Sequence, residues 1–274
     1  MTKSTGWRVA GLLAATVLAC SAAASEGTAH WNHDPAGQTG PGAWGTLSFP
    51  HATCGGGDPF VEVGMKQSPV DIETGRVVAA PLPAIEFGYR ETAFVVENTG
   101  HDVKVPYQPG SSIAVGQAGY DLLQLHVHAR SEHTVDGRHA AAEIHLVHQD
   151  RLLDLAVVGL QVEVGTPVNV VADAMIRNAS TRSGERIVVP GAINAMDLLP
   201  AQRGYFAYSG SLTTPPCSEG VRWLLLKAPV LVSQQAIDHL HQVIHRFEHG
   251  GDHPDNNRPV RPLNGRVVLE RDDR

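Results

Sequence analysis

This 274-residue chain has no apolar run approaching 18 residues, so no transmembrane helix is expected. It has no basic excess: 21 Lys and Arg stand against 28 Asp and Glu, a formal net charge of -7. A nucleic-acid partner is not expected, because a phosphate backbone selects for basic surfaces. With 28 Gly and 18 Pro, the chain is too interrupted for a long coiled coil or helical bundle. It shows no internal repeat, long linker or low-complexity block, and 42% hydrophobic residues exclude general disorder. Cysteine is scarce and odd in number, at three, whereas histidine is abundant, at 15.

The N-terminus carries Lys3 and Arg8, then an apolar run from Val9 to Ala19 too short to span a bilayer. Ala22-Ala23-Ala24 supplies a small-residue cleavage pattern. Residues 1–24 therefore read as a secretory signal peptide, which implies export to a periplasmic or extracellular compartment. Val17-Leu18-Ala19-Cys20 is an imperfect lipobox, with Leu18 one place late, and leaves lipid anchoring at Cys20 as the alternative. Residues 25–274 read as a single domain, its first part a wrapped arm rich in Gly, Pro, His and Thr to about Gly57.

Short β-type runs recur between turn residues: Phe94 to Glu97, Asp102 to Tyr107, Leu122 to His128, Ile144 to His148, Ala156 to Val164 and Val221 to Leu226. They predict a β-rich domain. One helix is predicted, capped by Ser233, with Ile237, Leu240, Ile244 and Phe247 on one face and Gly250-Gly251 at its end.

Gln124-Leu125-His126-Val127-His128 is the decisive stretch. Side chains alternate along a strand, so Gln124, His126 and His128 share a face, while Leu125 and Val127 pack on the other. In Ala142 to His148, Glu143, His145 and Val147 share a face. Residues 129–138 between them contain Asp136-Gly137, so the two strands can pair antiparallel and bring three imidazoles to one point. Three neutral imidazoles and an open fourth position are what catalytic zinc uses. Each needs its second ring nitrogen held by an acceptor, and Gln124 and Glu143 are on the right face to serve. Two strands with solvent-facing histidines are the plainer alternative. His241, His245 and His249 also fall on one stripe of the helix, off its apolar face, and read as solvated.

The chain resembles the α-class carbonic anhydrases. The matching motifs are Gln67-Ser68-Pro69-Val70-Asp71-Ile72, Asn98 to His101, Gln124 to His128, Ser131 to Gly137, Ala142 to His148, Tyr208 to Gly220 and Asn256 to Pro259, in the family's order from about Trp31 to Val268. The resemblance implies a mainly β fold (α+β in detail): one large, mostly antiparallel twisted sheet with short peripheral helices. It implies reversible hydration of carbon dioxide to bicarbonate by hydroxide on a zinc ion. His126, His128 and His145 match the zinc ligands; Gln124, Glu143 and the backbone of Asn256 match their hydrogen-bond partners. Thr213 and Glu132 match the pair that orients the hydroxide, and His101 matches the proton shuttle. Val147, Val157, Leu212, Val221 and Trp223 match the apolar wall for carbon dioxide, with Thr214 beside them. Anions and sulfonamide-type inhibitors are expected at the zinc; a homodimer stays open.

Three positions depart from the family pattern. His33 stands where a Tyr is usual, and Thr99 and Lys104 stand where amides are common. They lead to the expectation of intact zinc chemistry with altered proton transfer, Lys104 also lowering the pKa of His101. Most of the remaining ten histidines read as surface residues. Export leaves Cys54 and Cys217, and the resemblance to bacterial members implies that they bridge, tying the arm to the Thr213 loop. The rival readings are a non-enzymatic binding module on the same fold, which would lack a ligand His, and a periplasmic zinc buffer, which would hold several ions.

Overall fold

The computed structural model describes residues 31–47, 51–55, 64–246 and 255–273. The signal peptide, Cys20, Phe247, His249 and Gly250-Gly251 lie outside the described residues, as does part of the arm.

The alternation predicted from sequence is present as buried and exposed faces. In β1 (Glu91–Asn98), Thr92, Phe94, Val96 and Asn98 are buried and the residues between them are less so. The other strands that position the site are β2 (Val103–Pro106), β3 (Ala118–Ala129), β4 (Ala142–Gln149), β5 (Leu155–Val164), β6 (Arg186–Asn194), β7 (Tyr205–Ser211) and β8 (Glu219–Val232). They run β6-β1-β2-β3-β4-β5-β8-β7 across a twelve-stranded sheet, which Leu269–Arg271 and Val78–Ala79 extend at one edge. Pairing in this series is antiparallel except between β5 and β8. The fold is thus mainly β, as expected.

The central strands are buried on both faces, for two different reasons. One face carries the main core, in which Leu125, Val127, Ile144, Leu146, Val158 and Leu160 are fully buried. Two helices pack with that core: α1 (Val170–Arg177) through Met175 and Ile176, and α2 (Gln234–Ile244) through Ile237, Leu240 and Ile244. Ser233 caps α2 as predicted, its Oγ accepting from the N–H of Ala236 at 3.2 Å. Helix α1 was not expected. Asn169 caps it, accepting from Val171 and Ala172, but eight residues are too few for a helical period to stand out.

The opposite face carries a second apolar cluster and the histidines. Val147 pairs with Val157 across β4 and β5, and Val157 with Trp223 across β5 and β8. Their side chains, with Val221 and part-buried Leu212, form one cluster. The five residues expected in the apolar wall are therefore brought together; the backbone carbonyl of Thr214, expected beside them, accepts from the Cys217 N–H at 2.9 Å. Cys54 and Cys217 are bridged, with an S–S distance of 2.08 Å, and pack with buried Trp44.

Candidate metal centre

Strand register builds the site. In the antiparallel β3–β4 pair, His126 stands opposite His145, Glu143 opposite His128 and Val147 opposite Gln124. The three ring systems lie with centroids 4.8–4.9 Å apart. One nitrogen from each of His126, His128 and His145 falls within 4.8 Å of the others.

The outer nitrogen of each ring is spent. His126 Nδ1 meets Gln124 Oε1 at 2.9 Å, His128 Nδ1 meets the carbonyl of Asn256 at 3.1 Å, and His145 Nε2 meets Glu143 Oε1 at 2.8 Å. Carbonyl and carboxylate oxygens only accept, so each ring presents its N–H outward and its lone pair inward. His145 Nδ1 and His126 Nε2 then face each other at 3.1 Å as two lone pairs, and His128 Nε2 is buried with no hydrogen-bond partner. Such a convergence of unprotonated nitrogens could hold a metal cation. Burial, and then the neighbouring imidazoles, hold His126 well below its ordinary pKa, and burial also lowers His145.

Asn256 comes from a segment 128 residues beyond His128 and is held at four points. Its N–H and Oδ1 bond the backbone of Ala129 at 2.6 and 2.8 Å, its Nδ2 donates to the carbonyl of His101 at 2.9 Å, and its carbonyl accepts from His128.

Glu143 is shared. Its Oε1 accepts from His145 and, at 2.7 Å, from His133 Nδ1; its Oε2 accepts from the His133 N–H at 2.8 Å. Burial would raise this carboxyl; His133 and the His145 N–H outweigh it and hold Glu143 well below the usual range. His133 Nε2 continues to Tyr208 Oη at 2.6 Å, and Tyr208 to Ser68 Oγ at 2.8 Å. His133, Glu143 and His145 also satisfy metal-ligand spacing, but the carboxylate bonds both rings directly, so this group is a hydrogen-bonded support. His133 and His148 are fully buried, two exceptions to the expectation that most of the remaining histidines are on the surface. His133 lies within the Ser131–Gly137 motif, but the motif alone gives it no partner: it lies beyond the end of β3, and only the return of β4 brings Glu143 to it.

Glu132 differs from the expected arrangement. It is fully buried, and its Oε1 accepts from the Arg258 N–H at 2.9 Å. Its Oε2 has no hydrogen-bond partner and lies 3.6 Å from His128 Nε2. The Thr213–Glu132 bond implied by the resemblance is thus not formed here; the free oxygen is turned to the histidines, although Thr213 is buried as expected. Sequence reasoning missed Arg258. Its side chain is 1% exposed, donates to the carbonyls of Ser68 and Cys54 at 2.7 and 2.9 Å, and lies over Trp44. Burial pushes its pKa down to about 9.

The three departures take definite places. His33 is buried edge-on to Trp31 and Trp44. His101 stacks flat on Trp31 with centroids 4.1 Å apart. The Thr99 hydroxyl closes its own turn, bonding Asp102 Oδ1 at 2.6 Å and accepting from the Asp102 N–H at 3.0 Å. Lys104 stands opposite His126 across β2 and β3 and lies 4.0 Å from Glu97. Its charge is one of those that depress His126.

Comparison with known proteins agrees with this geometry. The family model for eukaryotic-type carbonic anhydrase matches residues 39–272. A carbonic anhydrase from Nostoc is 36% identical over 249 residues, covering 89% of this chain and 86% of that one. The α-carbonic anhydrase of Thermovibrio ammonificans, solved with the inhibitor sulfanilamide, superposes with a TM-score of 0.79 at 38% identity, covering 89% of this chain and all of that one. A hyperthermostable carbonic anhydrase from a hydrothermal vent chimney superposes with a TM-score of 0.77 at 40% identity, with the same coverage. The chain belongs to the α-class carbonic anhydrases.

Proposed function

We propose that this protein hydrates carbon dioxide reversibly to bicarbonate and a proton, with zinc held by His126, His128 and His145. The observation that carries the proposal is the set of three inward lone pairs, each fixed by an acceptor on the opposite ring nitrogen. Three neutral nitrogens converging on one point fit a catalytic zinc site, which uses three protein ligands and keeps a fourth position open. When bound there, zinc supplies a Lewis acid that acidifies water and makes hydroxide available near neutral pH.

The chain's own residues do the rest. Gln124, Asn256 and Glu143 hold the ligand rings in one tautomer and one orientation. Val147, Val157, Leu212, Val221 and Trp223 form a wall that suits an apolar substrate with few groups to grip. Glu132 Oε2, which faces His128 here, turns to Thr213 when the metal is bound, accepts its hydroxyl hydrogen bond and so leaves the Thr213 oxygen an acceptor. His101 relays the released proton, an imidazole being able to take and give one near pH 7. The Trp31 stack defines one resting position for that ring. Sulfonamides and small anions bind at the same metal. The Cys54–Cys217 bridge supports an oxidising, exported location, periplasmic or extracellular.

Metal analysis combined with a carbon dioxide hydration assay tests this reading. One zinc per chain and hydration lost on chelation are expected. One zinc without hydration leaves a binding module, and several ions per chain leave a zinc buffer. For the relay, His101→Ala is expected to slow turnover about tenfold or more in weak buffer, with recovery on adding imidazole. Equal rates of the two proteins in weak and in strong buffer would remove His101 from the path.

A further inference from the structure

A cavity of about 590 Å³ lies between the Asp71–Val78 stretch and the Val260–Val268 segment. Among the described residues, none of those lining it is hydrogen-bonded to the three clustered histidines. Its volume is in the range of small-molecule sites. Val77, Val267 and Val268 give it apolar walls.

Its charges are unequally spent. Arg76 pairs with Glu73 at 3.0 Å. Asp71 Oδ1 accepts from Thr134 Oγ1 at 2.6 Å and from the Gly137 N–H at 2.9 Å. Arg266 donates to the backbone carbonyls of Leu263, Ser209, Gln67 and Pro262. Arg261 differs. Its backbone N–H donates to Pro69 at 2.7 Å and fixes its place, but its Nε is buried with no hydrogen-bond partner. Among the described residues its guanidinium meets no carboxylate or carbonyl. Three arginines against two carboxylates leave the lining one positive charge in excess, on a chain whose net charge is -7.

A half-buried guanidinium without an acceptor is costly, and burial accordingly lowers its pKa. The planar fork of an arginine matches a carboxylate in two parallel bonds. A dianion would overcharge a lining that already holds Asp71 and Glu73. We propose that this cavity binds a small monocarboxylate with an apolar tail, its head on Arg261 and its tail along Val77, Val267 and Val268.

Calorimetric titration of the full zinc-loaded chain tests this, with hexanoate, hexanol and hexylammonium as probes, each with and without saturating sulfanilamide. Hexanoate is expected to bind at one site whether or not sulfanilamide is present, and the other two at least about tenfold more weakly. Arg261→Gln, and independently Val267→Asp on the exposed rim, should each weaken hexanoate at least about tenfold, with unchanged melting temperature. Arg261→Lys should retain most of the binding. The proposal fails if hexanoate gives no heat, if sulfanilamide abolishes its binding, or if both variants bind it as the wild type does.

Discussion

Glu143 shows how much one buried carboxylate can organise. Its two oxygens take three N–H groups, two from His133 and one from His145, and no N–H is left over. Glu143→Gln keeps the shape but replaces one acceptor with a donor, which must then face an N–H. Metal affinity is expected to fall roughly 10- to 100-fold, the range seen for outer partners of ligating histidines. Competition with a chromophoric chelator measures it, and unchanged affinity would show that Glu143 does not orient His145. His148, on the same strand, has a separate role. It is fully buried, its Nε2 meets Tyr89 Oη at 2.9 Å, and burial lowers its pKa to about 4. The unfolded chain, with the ordinary value of 6.5, binds the proton first as pH falls. His148 therefore adds no pH dependence above 6.5 and costs stability progressively from there down to about pH 4, by about 3 kcal/mol in all. His148→Gln, which keeps an acceptor for Tyr89 but cannot ionise, should lose less stability between pH 7 and pH 4.5 in denaturant melts. Parallel losses in the two proteins would clear His148.

At the scale of elements, the site is a row of residues across strands. His145 on β4 stands opposite Gly159 on β5. A Cβ at Gly159 would come 2.7 Å from Leu225 Cδ1 and 3.3 Å from Glu143 Oε1. Gly159→Val is therefore expected to push Glu143 off His145 and weaken metal binding about tenfold or more, and to destabilise the fold by about 1–3 kcal/mol through overpacking. Chelator competition and thermal melting read the two effects separately. The strands themselves were legible from sequence because period 2 is a local property: all six predicted runs fall on observed strands. Helix α2 was legible for the same kind of reason, with Ser233 ahead of a sustained apolar stripe. Helix α1 was not, since its short stripe becomes a face only where Met175 and Ile176 meet the core, and where Asp173 accepts from the N–H and Oγ of Ser233 ahead of α2.

At the scale of the whole molecule, the bridge joins parts 163 residues apart. Trp44 packs on it, Arg258 bonds the Cys54 carbonyl, and Gln67 Nε2 donates to the carbonyl of Cys217 at 3.1 Å. The Arg258 N–H in turn holds Glu132. Reduction is therefore expected to destabilise the protein by up to roughly 5 kcal/mol on chain-entropy grounds. It should also lower activity before unfolding is complete, because the same network supports Glu132. Activity and tryptophan fluorescence followed together during reduction test this; full activity in folded, reduced protein would separate the bridge from the site.

By itself the sequence determined which side chains share a face: Gln124, His126 and His128 on one strand, Glu143, His145 and Val147 on the next. It also carried the family motifs that name the bridge and the apolar wall. Alternation is a consequence of strand geometry and needs no knowledge of the rest of the chain. Tertiary structure alone decided how each group is satisfied. It brought Asn256 to His128, linked His133 and Tyr208 to Glu143, buried Arg258 over Trp44, and turned the free oxygen of Glu132 to the histidines. The physical reason is that a buried polar group must find its partner wherever the fold supplies one, and these partners come from segments far apart in sequence.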